Sequence, residues 1–417
     1  MKRFLVLLLA SFLFVMPAVS AGAAEIDVLL EKLVEKGVLT PLEAQIVKDE
    51  TAQEVSTQIA QGKMDTMPSW IQTVKLKGDV RLRYQTQQKK GSTTQNRGRA
   101  RLRLGIEAKP VDQFTVGAGL ASGSDSDARS TNETLGDGFA KDGIYLDYVW
   151  AEYKPEQWVS MIGGKYNANG KNYLWYTTDM LWDSDINQEG ASAHFDIPRI
   201  LNGDAFVNAG YWALSEASGD AHDAGMFYSQ AGMKYAVNAG LQNPLDLKVA
   251  GTYYSKQFND SGSALSNGKD TQTAANNQYD YNNVYAGSAE LIYKWPEETS
   301  SPIKMVGIFS DYVNNPDADS ENTGWATGFK FGHPKVDGSK TWQLKYQYVR
   351  LGNFAWIDIF PDSDRYSGRT NVKGHEVILE LGLAKNVSLG FDYYHTDVIK
   401  GTSLPEDLFQ TDLSLKF

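Results

Sequence analysis

Phe409-Gln-Thr-Asp-Leu-Ser-Leu-Lys-Phe417 is the stretch on which the reading of this 417-residue chain turns. Successive side chains of an extended strand point to opposite faces. Phe409, Thr411, Leu413, Leu415 and Phe417 therefore share one side, and Gln410, Asp412, Ser414 and Lys416 the other. A soluble protein gains little from an exposed terminal phenylalanine. A strand with lipid on one face and a wet lumen on the other requires this two-sided pattern.

The same alternation runs back along most of the chain. Val74-Lys-Leu-Lys-Gly-Asp-Val-Arg-Leu-Arg-Tyr84 follows it, and Arg97-Gly-Arg-Ala-Arg-Leu-Arg-Leu-Gly-Ile106 follows it on the return. Lys109-Pro-Val-Asp-Gln113 reads as a short turn. Further strands are expected near 114–121, 144–153, 158–166, 187–195, 205–213, 226–235, 246–254, 284–293, 303–311, 324–332, 341–350, 374–383, 387–394 and 408–417, which with the first two makes sixteen. Short and long connections alternate; short ones include Pro155-Glu156-Gln157 and Ala384-Lys385-Asn386, and long ones include 122–143, 167–186, 256–283 and 351–373. The predicted fold is an all-β antiparallel transmembrane barrel of about 16 strands over 68–417, with both ends of the barrel on the periplasmic side. Near 148–152 and 303–311 the pattern leaves open which parity faces lipid.

Bulk numbers agree. A mean hydropathy of −0.40 excludes a helical membrane bundle, while 12% aromatics with 38 glycines suit interfacial girdles and tight turns. No cysteine is present, so thiol catalysis and thiolate metal sites are excluded. A net charge of −11 argues against a nucleic-acid partner. At the N-terminus Lys2 and Arg3 precede an apolar run, Phe4 to Met16, and then small residues up to Ala24. Residues 1–24 read as a secretory signal peptide cleaved among 21–24. Residues 25–67 read as a short periplasmic α-helical segment. Ile26, Leu29, Leu30, Leu33 and Val34 lie at helical spacing, and Thr40-Pro41-Leu42-Glu43 forms a capping box opening a second helix toward Gly62. Met67-Pro68-Ser69-Trp70 marks a hinge. The helical segment either tucks under the barrel or touches copies of itself or peptidoglycan.

Charge sets the orientation of the first hairpin. An arginine on the lipid side at the bilayer midplane costs ~2–4 kcal/mol. Arg81, Arg83, Arg97, Arg99, Arg101 and Arg103 must therefore point inward, leaving Val80, Leu82, Leu102, Leu104 and Ile106 toward lipid. Like charges across neighbouring strands repel, so this patch needs acidic partners or passing anions. Glu290, Glu376, Glu380 and Asp392 have inward parity on the far wall.

Lys75-Leu-Lys-Gly-Asp-Val-Arg-Leu-Arg-Tyr84, Leu146-Asp-Tyr-Val-Trp-Ala-Glu-Tyr-Lys-Pro155, Gly163-Gly-Lys-Tyr166, Asp311-Tyr-Val-Asn-Asn315, Gly328-Phe-Lys-Phe-Gly332, Asp362-Ser-Asp364 and Thr370-Asn-Val-Lys-Gly-His375 occur in an order and spacing that resembles the bacterial family called putative porins. The resemblance spans roughly 68–417 and implies a passive diffusion channel in the cell outer membrane, without naming a solute. It implies lipid and lipopolysaccharide as surroundings and, by analogy with general porins, a homotrimer. The last strand likewise resembles the signal read by the barrel-assembly machinery, with Phe409, Leu413, Leu415 and Phe417 as its residues. In general porins the third long loop folds inward and sets acids against an arginine wall. Here the third long loop is Asn167 to Asp185, bearing Asp179, Asp183 and Asp185 beside Tyr173, Trp175, Tyr176 and Trp182.

No cofactor, metal or catalytic activity is expected. The five histidines are scattered, Asp317-Ala-Asp-Ser-Glu321 lacks the glycine and distal glutamate of an EF-hand loop, and GxSxG is absent. Two rival readings stand beside the channel. One is a plugged structural or adhesive barrel. The other is a barrel-embedded hydrolase, which a Ser–His–acid cluster at the rim would reveal.

Overall fold

The computed structural model describes residues 70–200, 203–215, 224–257 and 281–417, with some positions between 34 and 49. The chain divides into two units, Met1–Gln72 and Thr73–Phe417. In the first, the expected capping box is formed. The Thr40 backbone N–H donates to Glu43 Oε2 at 2.8 Å, and the Glu43 N–H donates to Thr40 Oγ1 at 3.3 Å, opening a helical stretch at 43–47. The expected leader at 1–24, nearly all of the first helix, the second helix toward Gly62 and the hinge at 67–69 lie outside the described residues.

The second unit is a closed antiparallel sheet. Its strands are β1 (Lys75–Lys89), β2 (Gln95–Val111), β3 (Phe114–Ser122), β4 (Ile144–Glu156), β5 (Val159–Tyr166), β6 (Gln188–Ile200), β7 (Gly203–Ser215) and β8 (Ala224–Val237), followed by β9 (Leu245–Gln257), β10 (Val284–Lys294), β11 (Met305–Asn314), β12 (Thr323–Gly332), β13 (Trp342–Leu351), β14 (Val372–Ala384), β15 (Val387–Val398) and β16 (Glu406–Lys416). Each pairs with its sequence neighbours, and β1 pairs with both β2 and β16, which closes the ring. A two-residue bridge, Glu133–Thr134, extends the sheet beside β2 above the end of β3. Closure leaves no free edge, the condition for a sheet in lipid.

The seam shows how sequence sets register. Leu82 lies between Leu413 and Ala100, and Arg83 lies between Asp412 and Arg99. A one-residue slip would turn every arginine into the membrane. The seam ends in a reciprocal pair: the Gly78 N–H donates to the Phe417 carbonyl at 2.9 Å, and the Phe417 N–H donates to the Gly78 carbonyl at 3.0 Å. A Cβ at position 78 would meet the Phe417 ring at 2.4 Å, so glycine makes the close approach possible. Leu76, Leu82, Phe409, Leu415 and Phe417 are exposed on the outer face, a band of apolar surface suited to hydrocarbon.

Both places where the alternation is hard to read have a structural cause. In the β3–β4 pair, Gly119 opposes Tyr148 and Leu120 opposes Leu146, so Asp147 is an extra residue in a bulge. Along β11, Met305, Phe309 and Val313 are buried inside beside Asp311 while Val306, Ile308 and Tyr312 are exposed outside, so large apolar side chains stand on both faces.

Leu82 sits midway along β1 on the outer face. Replacing it by arginine is expected to lower folding stability in lipid vesicles by about 2–4 kcal/mol, while Leu82→Phe stays within about 1.5 kcal/mol. Urea titration followed by heat-modifiable gel migration measures both.

Candidate functional site

The β1–β2 register sets Arg81 opposite Arg101, Arg83 opposite Arg99, and Asp79 opposite Arg103. Six guanidinium groups thus crowd one stretch of inner wall, and four carboxylates answer them. Asp79 accepts from Arg101 Nε at 2.9 Å and from Arg103 Nε at 2.6 Å. Asp412 accepts from Arg83 Nε and Nη2, each at 2.7 Å, a two-pronged pair. Arg83 also donates to Asp364 at 2.9 Å. Asp185 lies 3.2 Å from Arg103 and 3.9 Å from Arg101. Arg81 donates to Asn132 at 2.7 Å and lies 3.6 Å from Asp412.

Arg97 and Arg99 are different. Arg97 donates to Gln87 at 2.7 Å, and Arg99 to Gln85, Ser130 and the Asn132 carbonyl at 3.3–3.4 Å. Among the described residues neither forms an ion pair with a carboxylate. Both line a polar cavity of about 360 Å³ with Gln85, Ser130, Asp364 and Glu406.

The 167–187 loop enters the lumen. Tyr173, Leu174, Met180 and Trp182 are buried there against Trp212, Tyr228 and Tyr254 of the inner wall. It is held from above by the 352–371 loop. The Trp182 ring stacks on Phe360 at 4.6 Å, Trp356 Nε1 donates to the Leu181 carbonyl at 2.7 Å, and the Asp183 N–H donates to the Phe360 carbonyl at 2.7 Å. The 352–371 loop is pinned in turn by Arg129, buried in the 123–143 loop, whose Nη1 donates to the carbonyls of Asp358, Pro361 and Gly368 at 2.9–3.4 Å.

The three loop acids do different things. Asp185 alone meets the arginine wall. Asp183 accepts the backbone N–H groups of Asp185 at 2.9 Å and Ser363 at 2.8 Å, and burial together with neighbouring Asp185 pushes its carboxyl up to about 8. Asp179 faces Arg365 at 3.0 Å. Arg365 also pairs with Glu376 and lies 3.5 Å from Asp362, so one guanidinium fills the point where Asp179, Asp362 and Glu376 converge. On the far wall Glu290 pairs with Lys330 at 2.6 Å, and Asp392 keeps one buried oxygen without a hydrogen-bond partner. Glu380 is partly buried on the inner face of β14. Asp317 accepts the N–H groups of Asn282 and Asn283, and Glu321 pairs with Arg350 at 3.1 Å. Sequence reading missed Asp79 and Asp412 as neutralising groups, although their inward parity was visible in the strands that carry the arginines.

A family model described as a putative porin matches residues 88–286 and 269–417. Among solved structures, OprB of Pseudomonas putida in its high-pH form gives a TM-score of 0.55 at 10% identity, covering 86% of this chain and 97% of that one. OmpF of Salmonella typhi in complex with daunomycin gives 0.49 at 12%, covering 82% and 97%. A mutant Rh. blastica porin gives 0.44 at 10%, covering 82% and 100%. At such identity the OprB match bears on the fold alone. No curated protein matches the chain.

Removing one partner of a buried ion pair leaves an uncompensated charge, at about 3–5 kcal/mol. Asp79→Asn strands Arg101 and part of Arg103, with Asp185 still near both. A loss of about 3 kcal/mol, the low end of that range, is expected in urea unfolding from vesicles.

Proposed function

The chain belongs to the putative porin family, and from that premise we propose that it forms a water-filled outer-membrane channel for passive diffusion of small hydrophilic solutes or ions, with an arginine-lined constriction that favours anions. The observation that carries this reading is the meeting of Asp185, on the inserted loop, with Arg101 and Arg103 on the wall. A loop acid set against wall arginines narrows the lumen and lays a transverse field across it, the charge-based selectivity device of pores. Of the six guanidinium groups, Arg97 and Arg99, which border the polar cavity, bond to neutral groups rather than directly to a carboxylate. An anion approaching there finds two guanidinium groups without a direct ion pair, in a cavity that Asp364 and Glu406 also line. No catalytic step belongs to this reading; throughput follows waist size and charge.

In the same proposal the outer face sits in outer-membrane lipid and lipopolysaccharide, and the barrel-assembly machinery reads Phe409, Leu413, Leu415 and Phe417. The assembly is a homotrimer, and the 25–67 segment, after removal of 1–24, lies in the periplasm within reach of peptidoglycan. The aromatic cluster of Trp182, Trp212, Trp356 and Phe360 supports a second reading, a plugged barrel, because it fills part of the lumen.

Purified protein in a planar bilayer separates the two. The channel reading expects stable ionic steps and, in a salt gradient, a reversal potential of anion sign. Arg97→Gln with Arg99→Gln should shift that potential toward cations, and it does so without freeing Asp79 and Asp412 as Arg83→Gln with Arg101→Gln would. Absence of steps leaves the plugged barrel; an unmoved potential in the Arg97/Arg99 variant removes the anion preference.

A further inference from the structure

A second cationic station lies away from the arginine wall, toward the end of the lumen where the short turns are. Lys234 near the end of β8 stands directly opposite Lys248 near the start of β9. Like charges so placed repel; Asp204 of β7 stands opposite Lys234 on its other side, and two further acids lie nearby. Asp196 lies 3.7 Å from Lys234 and 3.1 Å from His194 Nε2. Glu290, opposite Lys248 on β10, is paired with Lys330 at 2.6 Å. Among the described residues Lys248 has no ion pair. Its Nζ stands 4.3 Å from the Trp175 ring centre and 5.0 Å from that of Phe206.

Trp175 is delivered by the inserted loop and clamped. Gln230 accepts its backbone N–H at 2.9 Å and donates to its carbonyl at 2.8 Å. A cavity of about 110 Å³ opens between these groups, with Asn172, His194 and Asp196 also in its lining. At ~10–15 Å³ of such space per water, that is room for roughly seven to eleven waters, the scale of a small monocarboxylate. Two ammonium groups beside two fixed ring faces present a charge-assisted donor and an apolar plate in one place.

We propose that Lys234, Lys248, Trp175 and Phe206 form a binding site for small carboxylates with a flat apolar body. The site rests on the channel reading only in lying on the solute's route. A bound carboxylate draws Lys248 Nζ off the ring faces, separates the charges of Lys234 and Lys248, and leaves its own apolar body against Trp175.

The test titrates benzoate, acetate and benzylamine calorimetrically into detergent-folded protein, with heat-modifiable migration verifying the barrel. Benzoate is expected to bind tightest. Lys248→Met should weaken benzoate about tenfold, the loss of one charge-assisted hydrogen bond, and Trp175→Leu should weaken benzoate while sparing acetate. Benzoate affinity indifferent to Lys248→Met, or wild-type binding no tighter for benzoate than for benzylamine, overturns the site. The wild-type comparison decides even if a variant does not fold. Bilayer recordings keep the two proposals apart. A barrel that binds benzoate but passes no current keeps the site and loses the channel; a conducting barrel whose benzoate affinity ignores Lys248 keeps the channel and loses the site.

Discussion

A strand charge in a membrane wall has to face water, and the rest of this structure depends on that constraint. Six arginines on two adjacent strands cannot turn outward at ~2–4 kcal/mol each, and a period of two sends all six the same way. The crowding that results is itself unfavourable, so carboxylates must be brought to it. Asp79 and Asp412 come from the same patch of wall, at the cost of no loop. Asp185 and Asp364 come from loops that fold inward. The charge problem created by one hairpin thus gives two long loops a place to go.

Those loops are not held by charge alone. Trp182, Trp356 and Phe360 form a buried ring cluster with Trp212 and Tyr254 of the wall. Aromatic burial of this kind is worth more than a surface ion pair. Arg129 then ties the 123–143 loop to the backbone of the 352–371 loop. The layering puts an apolar block on one side of the lumen and a polar, arginine-bearing face on the other.

Strand count and strand positions were legible because alternation is a local property, summed over ten or so residues. It failed to assign faces where a local rule was broken. The extra residue Asp147 shifts parity within β4, and the inner face of β11 sets Met305, Phe309 and Val313 beside Asp311, which receives the inserted loop at Thr177 and Thr178. The candidate site was legible in half. Inward arginines followed from solvation cost, and Asp185 was among the acids expected opposite them. Asp179 and Asp183 were not separable from it by sequence, since three acids in seven residues offer the wall the same chemistry; burial and the position of Arg365 decided between them.

The amino-acid sequence by itself determined a two-faced wall, sixteen strands long, with its arginines inside, because lipid and water sort every second side chain. Tertiary structure alone decided which charges are answered and which are left open. Arg83 finds Asp364 across 281 residues of chain, while Arg97 and Arg99 find only amides, a hydroxyl and a carbonyl. Partners so distant meet only after the ring has closed and the loops have folded into it, and no pattern of neighbouring residues encodes where an inserted loop will come to rest.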